Sequence, residues 1–134
     1  MPESLSEPAA DLAFFALDHA VASIQPRGPL IPFVLVEREG KRSLNRCLAD
    51  TLEAGLAQAK SFAKAQLDSC DRLVIAFDGF VTLEGVRTDA IYVDAFERAA
   101  AQGVRLFQRY KPTGLFRKNK PIGNPVMAGA VALE

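Results

Sequence analysis

At 134 residues the chain has the length of one domain, and its 16 basic and 16 acidic side chains leave no net charge to point at a nucleic-acid or membrane partner. Hydrophobic residues make up 49% and charged residues 24%, and only two cysteines are present, which excludes a disordered, collagenous or disulfide-built chain. Met1-Pro2-Glu3-Ser4 is acidic where a signal peptide is basic, and the first apolar stretch, Leu12 to Ile24, is broken by Asp18 and His19. Neither a leader nor a membrane span is expected, and the chain reads as cytoplasmic with Cys47 and Cys70 as reduced, part-buried thiols.

Ser4 with Glu7 three residues on matches a capping box, Ser6 is a second cap candidate and Pro8 suits a first turn, so a helix is expected to start near Ser4 or Ser6. Phe14, Leu17, Val21 and Ile24 recur at helical spacing and predict its buried stripe. Pro26, Gly28 and Pro29 end it. His19 falls off that stripe and reads as a surface or interface histidine.

Ile31 to Arg38 and Lys41 to Leu48 read as two strands joined at Glu39-Gly40, where glycine supplies the positive φ of a tight hairpin. Asp50 with Glu53 predicts a second helix reaching about Leu67, with Leu52, Leu56, Ala59, Phe62 and Ala63 facing inward. Leu73 to Phe77 is a short apolar run suited to a central strand. Asp78-Gly79 then marks either a hairpin turn or a bulge within one long strand reaching Leu83. Glu84-Gly85 is a further turn and Thr88 to Val93 a strand.

Asp94-Ala95-Phe96-Glu97 supports two readings, a capped helix or a strand continuing from Ile91. Val104 to Lys111 alternates as a strand, and the prolines and glycines of Pro112 to Pro125 predict an irregular, basic C-terminal segment over 112–134. Glu39-Gly40-Lys41-Arg42 is echoed by Glu84-Gly85-Val86-Arg87, which reads as coincidence of turn and cap chemistry, with a worn ββα duplication as the alternative. The whole of 1–134 is expected to form a single α+β domain, with both helices on one face of a mostly antiparallel sheet. Phe80, Tyr92, Phe96 and Phe107 on an uncovered opposite face would favour self-association, through the sheet or through an edge strand.

Chemistry is harder to place. One histidine and two scattered cysteines do not supply a metal site, and no nucleophile elbow, P-loop or dinucleotide fingerprint occurs, so no metal and no cofactor is expected. Glu37, Glu39 and Lys41 could share a hairpin face as a metal-dependent nuclease requires, but Gly40 places the Glu39–Lys41 pair at a solvent-exposed tip. Asp78 is a possible buried carboxylate, which would need a partner such as Arg72 or Arg87 if the strand runs through it. Formal charge alternates along the chain: −4 over 1–40, +3 over 41–67, −4 over 68–104 and +5 over 105–134.

Within the last block Arg105, Phe107, Arg109 and Lys111 share strand parity, and Arg117, Lys118 and Lys120 follow, an arrangement suited to an anion or to single-stranded nucleic acid. The same cations would equally pair with acidic segments of the chain or guard a sheet edge. The leading reading is a small, non-catalytic binding or interaction module whose partner is a second copy or another protein. An anion or nucleic-acid binder and a carboxylate- or metal-dependent enzyme are the alternatives.

Overall fold

A computed structural model describes residues 5–24, 30–98, 100, 102–111 and 120–133. In chain order they form α1 (Glu7–Ser23), β1 (Phe33–Arg38), β2 (Lys41–Arg46), α2 (Leu52–Gln66) with a short 3-10 turn at Leu67–Ser69, β3 (Arg72–Leu83), β4 (Val86–Glu97), β5 (Gly103–Lys111) and β6 (Lys120–Val131). The six strands make one antiparallel sheet in the order β2-β1-β3-β4-β5-β6. The α+β architecture and the antiparallel sheet agree with the sequence reading.

The helices do not share a face. Leu12, Ala13, Ala16, Leu17 and Ala20 of α1 pack with Phe33, Leu35, Val74, Ala76, Ile91, Val93 and Leu106. Ala59 and Ala63 of α2 pack with Val34, Val36, Leu73, Ile75 and Phe96, the residues of opposite parity. Because successive strand side chains point to opposite sides, the two helices cover the two faces of the sheet. The correction has a visible cause: β1 and β3 are apolar at consecutive positions (Phe33-Val34-Leu35-Val36, Leu73-Val74-Ile75-Ala76), the pattern of strands buried on both sides.

α1 is also turned relative to its expected stripe. Its buried residues are Ala9, Leu12, Ala13, Ala16, Leu17 and Ala20, while Phe14 and Phe15 are 45% and 46% exposed. The alanines let the helix axis approach the sheet closely, and the Arg42 guanidinium lies 4.8 Å from the Phe15 ring at the margin. Ser6 is the cap: its Oγ accepts from the Ala9 N–H and donates to Glu97 Oε2. α2 is capped by Thr51 and buries Gly55, Ala59 and Ala63, with Leu56 and Phe62 half-buried and Leu52 exposed.

Both Glu-Gly turns adopt the same conformation, with φ of 51° at Glu39 and Glu84 and 79° at Gly40 and Gly85, as two-residue hairpins of primed type require. The resemblance between the two halves ends there, because Asp94–Glu97 completes β4 and forms no helix. β3 runs unbroken through Asp78-Gly79 in continuous register with β4, so neither a turn nor a bulge stands there. Gly79 fits because a Cβ would come within 3.0 Å of the Tyr92 ring, which lies over it.

Residues 120–131 form an edge strand where an irregular segment was expected; 112–119 fall outside the described residues. An edge strand tolerates Pro121 and Pro125 because one of its two sides has no ladder to complete. Register shifts against β5 absorb the surplus residues, and the buried Gln108 amide donates to the Ile122 and Gly123 carbonyls where β6 bows outward.

Candidate functional site

Asp78 marks where β3 outruns β1. The β1–β3 ladder ends at Phe33↔Ala76, so Asp78 has no β1 residue opposite it. In that gap the Leu30 N–H donates to Asp78 Oδ2 at 2.9 Å. On the other side the Tyr110 hydroxyl donates to the carboxylate at 2.9 and 3.0 Å. The partner anticipated as Arg72 or Arg87 is thus a tyrosine from β5. Burial pushes the Asp78 carboxyl above its ordinary range, against the opposing effect of the Leu30 and Tyr110 hydrogen bonds. Burial and the Asp78 charge together push the Tyr110 phenol up, so it stays a donor at neutral pH.

Beyond this pair lies an open pocket of about 340 Å³ lined by Phe80, Arg87, Asp89, Tyr110, Lys111 and Ile122, with Thr88 beside them. Cross-strand pairing explains the grouping: Phe80, Asp89 and Tyr110 sit opposite one another across β3, β4 and β5 on the α1 face. Phe80 is 55% exposed, and the Arg87 guanidinium is held 3.9 Å from its ring centroid. The Tyr92 hydroxyl donates to the Phe80 carbonyl at 2.6 Å, tying down the strand that carries the ring.

The basic parity row of β5 divides into separate roles. Arg105 donates from Nε and Nη2 to both oxygens of Asp94, at 2.7 and 2.8 Å, and Asp94 is only 2% exposed. Its guanidinium lies 5.4 Å from both the Phe77 and Tyr92 rings, within an aromatic row that continues to Phe107. Arg105 therefore neutralises a buried carboxylate of its own chain. Arg109 is half-buried and Lys111 exposed, and neither has an ion-pair partner among the described residues. Arg117 and Lys118 lie outside the described residues; Lys120 is placed in β6 only by its backbone, opposite Lys111.

The hairpin carboxylates do not converge. Glu37 is buried on the α1 face, accepts from Arg42 Nε at 3.0 Å and binds Arg72 Nη1. Burial raises its pKa, but the two arginine hydrogen bonds outweigh that and hold the carboxyl below its usual value. Arg72 continues to Glu97 at 3.6 Å, and Glu97 to Ser6 at 2.7 Å, so the row Arg42–Glu37–Arg72–Glu97 ends on the α1 cap. Glu39 sits in the turn, its N–H donated to Asp71 Oδ2, and Lys41 is exposed.

Among the described residues no three His, Cys, Asp or Glu side chains cluster as metal ligands. His19, expected at the surface or an interface, is half-buried and edge-on to Phe33 with centroids 5.5 Å apart. Its Nε2 has no hydrogen-bond partner among the described residues. Both cysteines are free, and burial pushes both thiols up. No described helix is long and apolar enough to cross a membrane.

Sequence reasoning singled out Asp78 but did not pair it with Tyr110, and it did not join Phe80, Arg87 and Asp89 in one row. The signal lay in the parity of β3 and β4 and needed only the register, which the Glu84-Gly85 turn fixes. No family model, no curated protein and no solved structure matches this chain.

Proposed function

We propose that the protein is a non-catalytic interaction module that assembles with a second copy of itself through the outer edge of β6. The observation that supports this reading is the contrast between the two edges of the sheet. β2 is six residues long and carries Lys41, Arg42 and Arg46, a short single-sign edge that repels its own copy. β6 is 12 residues long, has no ionisable side chain from Pro121 to Val131, and exposes Val126 and Met127 by 39% and 52%.

Pro121 and Pro125 remove donors from its first half, which leaves Val126–Val131 as the proline-free stretch, irregular at the register shift at Ala128 and at Gly129, whose φ is 124°. Two such strands related by a two-fold axis would pair antiparallel and join two sheets into one. The dispersal of the carboxylates supports a non-catalytic role: Glu37 is held by two arginines, Glu39 lies in a turn and Asp78 is held by Tyr110.

Light scattering coupled to size exclusion tests the reading. A dimeric mass is expected for the native chain, and a monomeric mass with an unchanged circular dichroism spectrum for Val126→Lys/Met127→Lys. Ser43→Lys on the opposite edge should leave the dimer intact. A native chain that stays monomeric at every concentration contradicts the proposal.

A further inference from the structure

We infer that the pocket between the β3–β4 hairpin and the end of β5 is a binding site for a small amphipathic organic monoanion, such as a hydroxyl-bearing aromatic carboxylate. This site takes Ile122 from the start of β6 but does not use the Val126–Val131 edge proposed for pairing. Its volume of about 340 Å³ falls at the small end of ligand pockets. The Phe80, Tyr110 and Ile122 side chains provide apolar walls, and Arg87 and Lys111 the cations.

Arg87 carries the argument. Its guanidinium carbon lies over the Phe80 ring, 3.9 Å from the centroid, so the ring restrains the cation, yet among the described residues it makes no ion pair and no hydrogen bond. A cation already held against a ring, with its N–H donors unused, loses less entropy than an unrestrained one when it takes a carboxylate in bidentate fashion. The other arginines of the sheet that lie over aromatic rings are already matched, Arg105 to Asp94 and Arg42, over Phe15, to Glu37. Arg87 is the constrained arginine whose match is missing from the described chain.

The charge in the pocket selects among anions. Asp89 lines the pocket with Arg87 and Lys111, and Asp78 lies behind its wall, bonded by the Tyr110 hydroxyl. A dianion such as inorganic phosphate meets repulsion there that a monoanion largely escapes, and Asp89 remains as an acceptor for a hydroxyl or amino hydrogen on the ligand. The apolar walls favour a ligand with a ring or short hydrocarbon body over a bare ion.

The probes are 4-hydroxybenzoate, its uncharged analogue 4-hydroxybenzamide, and inorganic phosphate, titrated into the full chain and followed by amide and arginine Nε chemical shifts. Saturable shifts at Phe80, Arg87, Asp89 and Tyr110 are expected with 4-hydroxybenzoate, with at least tenfold weaker binding of the amide and of phosphate. Arg87→Gln, at an exposed position, should keep the native spectrum elsewhere and weaken 4-hydroxybenzoate at least tenfold; Arg109→Gln should not. Absence of saturable shifts at millimolar probe, shifts centred elsewhere, equal binding of the amide, or an Arg87→Gln variant that binds as the native chain does would each overturn the assignment.

Discussion

The two carboxylates with shifted titration respond to acid in opposite senses. Asp78 has a folded-state pKa above its unfolded value of about 3.9, so its contribution to stability is complete below that value and is lost as pH rises through the folded pKa. Glu37 has a folded-state pKa below its unfolded value of about 4.3, so its contribution is present above that value and is lost as pH falls through the folded pKa. Asp78→Asn removes the first titration while keeping an acceptor for Tyr110 or Leu30. The melting temperature of Asp78→Asn relative to the native chain should therefore rise between pH 4 and pH 7, and a constant difference across that range would contradict the burial argument. Asp94 is the more vulnerable carboxylate, because it is 2% exposed and depends on Arg105 for both oxygens. Arg105→Met leaves that charge unpaired and should cost roughly 3 kcal/mol in urea unfolding, whereas Arg109→Met should cost well under 1 kcal/mol.

At the level of elements, the pieces with strong local chemistry were legible in the sequence. The Glu39-Gly40 and Glu84-Gly85 turns, the Ser6 cap and the strand at Leu73 to Phe77 follow from positive φ, side-chain capping and an apolar run too short for a helix. Asp94–Glu97 was ambiguous for a physical reason. Two carboxylates three apart share a helix face but lie on opposite faces of a strand, and here Asp94 turns to Arg105 while Glu97 turns to Arg72 and Ser6. Only long-range partners separate the two readings. β6 was illegible because proline and glycine carry the same local signal in a loop and at a bulged edge. Two outcomes test these elements. Ser6→Ala removes both the cap and the hydrogen bond to Glu97 and should destabilise the fold by about 1 kcal/mol. Gln108→Leu strips the amide that holds the Ile122 and Gly123 carbonyls, and amide exchange at the start of β6 should accelerate before global stability falls.

For the molecule as a whole, the placement of the helices on two faces changes where partners can act. Phe96 and Phe107, expected on an uncovered face, are 5% and 6% exposed, and Tyr92 is half-buried in an aromatic row; of that set only Phe80 is open, and it lines the pocket. Self-association through a bare sheet face therefore loses its basis, and the proposed route is the edge. The sequence reading kept both routes because it could assign parity within a strand but not which parity each helix covers. That assignment depends on crossings between elements distant in sequence, for which the consecutive apolar residues of β1 and β3 are the available clue.

The central claim is that β6 is a pairing edge, and hydrogen exchange of its amides tests it most directly. Measured for the native chain at high and at low protein concentration, the outward-facing amides of Val126–Val131 should be protected when concentrated and exchange freely on dilution, while those of β1 and β3 stay unchanged. Protection along Val126–Val131 that is the same at both concentrations would contradict the claim.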